Sequence, residues 1–244
     1  MFQDHFSRDS RSYAQHRPRY PAALFAWLAS VSPARDLAWD AGTGNGQAAT
    51  VLAEHFARVI ASDPSAKQIG QATQHPKVEY RVAAETAGLD DRSADLVTVA
   101  QALHWFDRPK FWAEVHRVLR PGGIVAVWCY ELQQVSPEID AIVNRFYRET
   151  VGPYWTPDRK LVEDGYRSIE FPFDEFTPPT FVMSTEWSLD HEMGYLDTWS
   201  AVGRYRDQVG ADPLPLVRAE LEKVWRPGEV RGISWPLSVR AGRA

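Results

Sequence analysis

The 244-residue chain contains one cysteine, Cys129. An intramolecular disulfide is therefore excluded, and a reducing, cytoplasmic setting is expected. Cys129 sits inside the apolar run from Ile124 to Tyr130, the surroundings of a buried core residue. There is no excess of basic charge: 27 Lys and Arg stand against 32 Asp and Glu, a net charge of −5. A nucleic-acid partner, which needs a basic face, is not expected. No apolar run approaches the roughly twenty residues of a membrane span. Met1 to Pro21 is polar and lacks the apolar stretch of a secretory leader. The seven histidines are scattered, with none at ligand spacing from carboxylates, so no metal is expected. A G-x-S-x-G elbow is missing, which argues against a serine hydrolase. What remains is an ordinary globular balance, 44% hydrophobic and 24% charged, in a length that suits one α/β domain with or without a cap.

The most informative stretch is Trp39-Asp40-Ala41-Gly42-Thr43-Gly44-Asn45-Gly46. Leu37 to Trp39 reads as the end of a buried strand, and Gln47 to Phe56 as a helix with Val51, Leu52 and Phe56 on one side. Strand, glycine-rich turn and helix together make a nucleotide-like cofactor site at the carboxyl edge of a parallel sheet. Glycine lets the backbone turn sharply and approach a ligand, and the helix start offers free N–H groups. The spacing Gly42-x-Gly44-x-Gly46 differs from the G-x-G-x-x-G of dinucleotide sites. Asp40, two residues ahead, would repel a phosphate but suits a ligand carrying an ammonium.

The chain then alternates. Pro21 starts a helix with Leu24, Phe25, Trp27 and Leu28 apolar, ending near Pro33. Val59–Asp63 is a second strand, and its terminal acid lies about twenty residues beyond the glycines, where a carboxylate meets a ribose diol. Asp63 could instead cap the following helix. Val78, Tyr80 and Val82 mark a third strand, and Asp95–Ala100 a fourth. Asp107 caps a helix with Pro109 in its first turn, and Phe106 with Phe111 forms a hydrophobic staple. Pro121-Gly122-Gly123 stops that helix, and Ile124–Trp128 is a fifth strand buried on both faces. Later come helices over Ile139–Thr150, Asp190–Tyr205 and Leu214–Trp225, strand and loops over Glu170–Trp187, and a last strand over Gly232–Arg240. Several of the ten tryptophans fall late, as an aromatic-lined pocket or cap would require.

These features, in this order and at this spacing, resemble the class I S-adenosylmethionine (SAM) methyltransferases over roughly residues 10 to 130. The motifs that carry the likeness are Asp40–Gly46, Asp63, Ala84-Glu85, Asp95–Ala100 and Leu119–Gly123. A narrower likeness, through Tyr13, Arg17–Pro21, Gln101–Asp107 and Thr198–Ala201, is to a small-molecule subfamily that includes trans-aconitate methyltransferase-like proteins. Arg19 stands where that subfamily usually has glycine. The resemblance implies an α/β, Rossmann-like fold with a mostly parallel seven-stranded sheet, helices on both faces and a helical cap from the C-terminal half. It implies a single domain: an arm and helix over 1–33, a SAM-binding core over 34–130, a cap insertion and sixth strand over 131–210, and a final helix and strand over 211–244.

The resemblance also implies site residues. Asp40, Ala41, Gly42, Thr43, Gly44 and Gly46 would hold the methionine part, Asp63 the ribose, and Ala84 and Glu85 the adenine. Gln101 would line the sulfonium, and Arg17 or Arg19 would reach the methionine carboxylate. The expected reaction is methyl transfer to a small molecule, at an oxygen of a carboxylate or a hydroxyl. A carboxylate needs no base; for a hydroxyl or amine, His104 is the candidate base. Tyr13, Trp105, Trp128, Tyr130, Trp199 and Arg204 are the candidate acceptor-binding residues. The rivals are a SAM-binding protein without catalysis and a nicotinamide-dependent oxidoreductase.

Overall fold

The computed structural model describes residues 17–244, so Tyr13 lies outside the described residues. A sheet forms the centre. Helix α1 (Ala22–Val31) leads into β1 (Leu37–Ala41), α2 (Gln47–His55), β2 (Arg58–Asp63), α3 (Ala66–Gly70), β3 (Val78–Val82), β4 (Ala94–Ala100), α4 (Arg108–Val118) and β5 (Leu119–Tyr130). These five strands pair in parallel in the order β3-β2-β1-β4-β5. Their apolar residues alternate between two cores, because successive side chains point to opposite faces. Ala38, Leu96, Ile124, Ala126 and Trp128 join α1 and α2 on one face. Trp39, Val97, Val125, Val127 and Cys129 join α4 on the other. The staple forms as expected, with Phe106 and Phe111 ring centroids 4.8 Å apart.

The second half follows as α5 (Pro137–Arg145), α6 (Arg159–Glu163), β6 (Asp174–Phe176), β7 (Val182–Ser188), α7 (Leu189–Asp197), α8 (Ser200–Val209), α9 (Leu214–Leu221) and β8 (Val230–Arg243). Strand β8 runs antiparallel beside β5, and β6 and β7 both pair with its other edge. The expected sixth strand is thus present in two pieces, giving eight strands in seven positions. The break is Thr177-Pro178-Pro179-Thr180: Phe176 pairs with Ala241, and pairing resumes where Leu237 N–H donates to the Phe181 carbonyl at 2.9 Å. Two prolines cannot donate to a sheet ladder.

Three expected elements differ. The helix over 139–150 is regular only to Arg145 and then widens into a π-type turn over Phe146–Thr150. The stretch 190–205 is two helices, parted at Thr198-Trp199, where the Thr198 hydroxyl turns back to the Tyr195 carbonyl at 2.6 Å. Helix α4 ends at Val118, ahead of Pro121-Gly122-Gly123, which lies within β5. Among the described residues no helix is long and apolar enough to cross a membrane.

One buried pair joins the end of β5 to α7. Glu192 and Gln133 are both buried and share a hydrogen bond from the Gln133 amide to a Glu192 oxygen. The remaining oxygen of each side chain has no partner. Burial, above all, pushes the Glu192 carboxyl up to about 8. A proton on Glu192 would fill the second bond to Gln133. The folded chain therefore holds a proton that the unfolded chain gives up near its ordinary value of 4.5. Stability from this pair is full below that value and is lost as pH rises through about 8. Glu192→Gln, which keeps both bonds at any pH, should raise Tm at pH 9, by roughly 2–4 °C for each kcal/mol recovered in a chain of this length, and change it little at pH 4. Thermal unfolding of both proteins across pH checks this, and an equal shift at both pH values would count against it.

Candidate active site

The carboxyl ends of β1, β2 and β4 surround a cavity of about 530 Å³. That lies within the roughly 300–1,000 Å³ of small-molecule sites. Thr43, Gly44, Asp63, Ala84, Glu85 and Gln101 all line it. At the turn, Gly44 has φ +57°, and a Cβ there would point into open space. Its N–H donates to Asp63 Oδ2 at 2.9 Å, while Asp63 Oδ1 accepts from Ser65 N–H at 2.8 Å. The acid at the end of β2 thus braces the glycine turn and still faces the cavity. It does not cap α3; Ser65 does, accepting from Gln68 N–H at 3.3 Å. A carboxylate is acceptor-only, with about four acceptor positions on its two oxygens, the chemistry that suits a ribose diol.

Asp40 is placed differently from its expected role. It is fully buried beneath the turn, with its oxygens bonded to Thr43 Oγ1 at 2.6 Å and Thr98 Oγ1 at 2.7 Å. Burial raises its carboxyl to about 6. Neither Asp40 nor the buried Ala41 lines the cavity, so both shape the turn from below. Gly46 does not line it either: a Cβ there would overlap the Tyr80 hydroxyl, so this glycine serves packing.

Beyond β4 the chain turns at Gln101, a non-glycine residue with φ +55°. Strain of this kind persists only where the surroundings over-determine it. Here Gln101 N–H donates to the Trp128 carbonyl at 2.8 Å. Its side-chain amide bonds the Tyr130 backbone twice, at 2.9 and 3.2 Å. So fixed, Gln101 and neighbouring Trp105 line two cavities at once. The second is small, about 70 Å³, and is bordered by His104, Tyr130, Trp155, Arg159, Tyr195 and Trp199 among others.

Arg17 lines this second cavity and not the first, contrary to its expected place on the cofactor. It donates to the Tyr130 hydroxyl at 3.0 Å and lies over the Tyr195 ring at 5.2 Å. His104 is buried and shares a 2.8 Å hydrogen bond through Nδ1 with the Tyr166 hydroxyl. Burial, and then the charges of Arg159 and Arg108, push its pKa down to about 3. The ring is neutral at physiological pH and a weak base. Trp128 and Arg204 are not at the site. Trp128 is fully buried against Tyr20 and Phe25, on the face it shares with Ile124 and Ala126. Arg204 points to the Tyr154 carbonyl at 3.1 Å. Sequence reasoning missed Tyr20 and Lys110 at the first cavity, and Trp155, Arg159 and Tyr195 at the second. Tyr20 stood in the arm motif; Trp155 and Arg159 lie in a stretch without periodicity. Among the described residues no cluster of three or more metal-ligating side chains occurs.

Comparison with known proteins agrees with this geometry. Residues 39–127 match the family described as a methyltransferase domain. A Dictyostelium discoideum protein named as a methyltransferase is 38% identical over 230 residues, covering 92% of this chain and 88% of the relative. The chain belongs to the methyltransferase family. A solved structure from Anaeromyxobacter dehalogenans, described as a candidate type II methyltransferase, superposes with a TM-score of 0.88 at 48% identity. It covers 93% of this chain and 97% of its own. A methyltransferase of Mycobacterium tuberculosis is 40% identical over 120 residues, about half of each chain. The fold is the Rossmann-like methyltransferase fold, and the cofactor of this methyltransferase is S-adenosyl-L-methionine. The first cavity suits that group: a cradle at Gly44 that a Cβ would fill, beside an acceptor-only carboxylate at Asp63 that lines the same cavity.

Loss of the Asp63 carboxylate should weaken SAM binding by roughly 1–3 kcal/mol, the range for a hydrogen bond to a charged group. Calorimetric titration of Asp63→Ala measures it. A folded variant with wild-type affinity would limit Asp63 to bracing the turn.

Proposed function

We propose that this methyltransferase forms a methyl ester on a carboxylate of a small-molecule acid. The observation that carries the reading is the second cavity, which adjoins the first through Gln101 and Trp105 and is lined by two arginines and aromatic rings. When bound in the first cavity, SAM supplies an activated methyl group on a sulfonium centre. Asp63 and the turn from Gly42 to Gly46 would hold its ribose and methionine parts, and Ala84 and Glu85 its adenine. Gln101, locked to the backbone of β5, keeps the passage between the cavities in one shape.

Arg17 and Arg159 give the second cavity two cations for an anionic acceptor, and charge-assisted bonds to a carboxylate are the strong kind. Trp105, Trp155 and Trp199 wall the acceptor and exclude water, which desolvates the attacking oxygen. The protein's main contribution is alignment. A carboxylate carries no proton at neutral pH, so the weakly basic His104 is not required to take one; hydrogen-bonded to Tyr166, it holds the cavity wall. A hydroxyl acceptor would need a base that this ring supplies poorly. The arm and loop motifs shared with the trans-aconitate methyltransferase-like subfamily support a small-molecule acceptor.

The test is incubation with SAM labelled in its methyl group and a panel of organic acids. The expected product carries the label as a base-labile methyl ester. Label in an ether or amine product would overturn the acceptor assignment. SAM binding without transfer to any acceptor, in a panel widened to alcohols and amines, would favour a non-catalytic binding protein.

A further inference from the structure

The inner cavity, at about 70 Å³, is too small for a whole acceptor, since sites for small molecules run to roughly 300–1,000 Å³. It does not end blindly. Glu131, Leu132, Trp155, Thr156 and Arg159 also border a cleft of about 1070 Å³ on the side away from the glycine turn. Two cavities that share five residues adjoin one another, and those five side chains form the neck between them.

Arg159 stands at that neck. Its guanidinium lies over the Trp155 ring at 4.8 Å and the Tyr147 ring at 5.3 Å. Its Nε donates to the Tyr147 hydroxyl at 2.7 Å. Stacking on two aromatic faces fixes the plane of the fork. None of these partners is a carboxylate. The nearby Glu163 carboxylate accepts from the Tyr147 hydroxyl at 2.5 Å, and Asp140 accepts from the Val135 N–H at 2.8 Å. The exposed Glu131 is the acid that remains on the neck. Walls of the cleft mix apolar surface, from Leu132, Trp155 and Pro236, with polar groups.

The geometry points to an outer acceptor subsite: the acceptor is an elongated carboxylic acid whose carboxylate is held at Arg159 and whose chain lies in the outer cleft. This rests on the carboxylate reading above. The inner cavity then takes only the reacting group, the acceptor arrives from the side opposite the cofactor, and the length of its chain, more than its head, sets selectivity.

The test is calorimetric titration of the full chain with linear saturated monocarboxylates of roughly four to ten carbons, with S-adenosylhomocysteine present so that no turnover occurs. Affinity should rise about two- to fourfold per added methylene, as for burial of apolar surface. Thr156→Trp, which fills the neck, should abolish the length dependence while S-adenosylhomocysteine still binds. If that variant does not bind S-adenosylhomocysteine, Pro157→Trp, farther along the cleft, should shorten the longest acid that gains affinity. Arg159→Gln should weaken every acid by roughly tenfold or more, the loss of a charge-assisted pair. Affinity independent of length, no binding of any acid, or an undiminished length dependence in the filled variants would overturn the proposal. Acids that bind in this way without being methylated would refute ester formation and leave the subsite standing. Acids methylated without regard to length would do the reverse.

Discussion

Replacing Gly44 with valine should abolish SAM binding while the sheet still forms. The reasoning separates fold from ligand. Gly44 has φ +57°, and a β-branched residue adopts that region only with strain. That strain falls on one turn outside the strands and leaves the parallel ladders of β1, β2 and β4 intact. Nothing lies within 4 Å of the position a Cβ would take, so the protein itself has room for the new side chain. The space it enters is the first cavity, proposed above to take the cofactor. Calorimetry should therefore show no SAM heat from a variant whose circular dichroism matches wild type. Ordinary binding by this variant would remove the turn from the cofactor site.

Trp199→Ala should lower kcat/KM by about a hundredfold, the scale on which a small misplacement costs alignment, with SAM affinity close to wild type. Trp199 is buried at the break between α7 and α8 and lines the inner cavity, not the first. It packs with Phe146, Tyr147, Trp155 and Tyr195, at centroid distances of 5.6 to 6.1 Å. Its loss should let Trp155, and with it Arg159, shift. A truncation of this size also costs roughly 3–5 kcal/mol of stability, so SAM binding by the variant serves as the check on folding. Trp199→Phe, which keeps an aromatic wall, should recover part of the rate. Full turnover in Trp199→Ala would remove this residue from the acceptor site.

The part of the chain that could be read in advance is the part with period. β1 to β5 are short apolar runs punctuated by glycine, proline and acid, and α4 carries its cap and staple in plain view at Asp107, Phe106 and Phe111. The strand-end residues that line the first cavity followed, because an open parallel sheet places its loops at one edge. Side-chain direction was harder. Asp40 sits where a ligand-binding acid is expected, yet two threonines at positions 43 and 98 take its oxygens, and Thr98 comes from another strand. Trp128 shares the alternation of Ile124 and Ala126, a signal that assigns it to the core. The acceptor side proposed above depends on residues far apart in sequence: Arg17, Gln101, Trp155, Arg159 and Trp199 meet only in the folded chain. Arg159 opens the short helix α6, which has too few residues for periodicity to mark an inward face.

The most direct measurement of the central claim is an equilibrium titration of the wild-type protein with SAM and, separately, with NAD. The geometry of the Gly42–Gly46 turn and Asp63 predicts saturable one-to-one binding of SAM, retained at raised salt, and no measurable heat from NAD. Binding of NAD with none of SAM would contradict it.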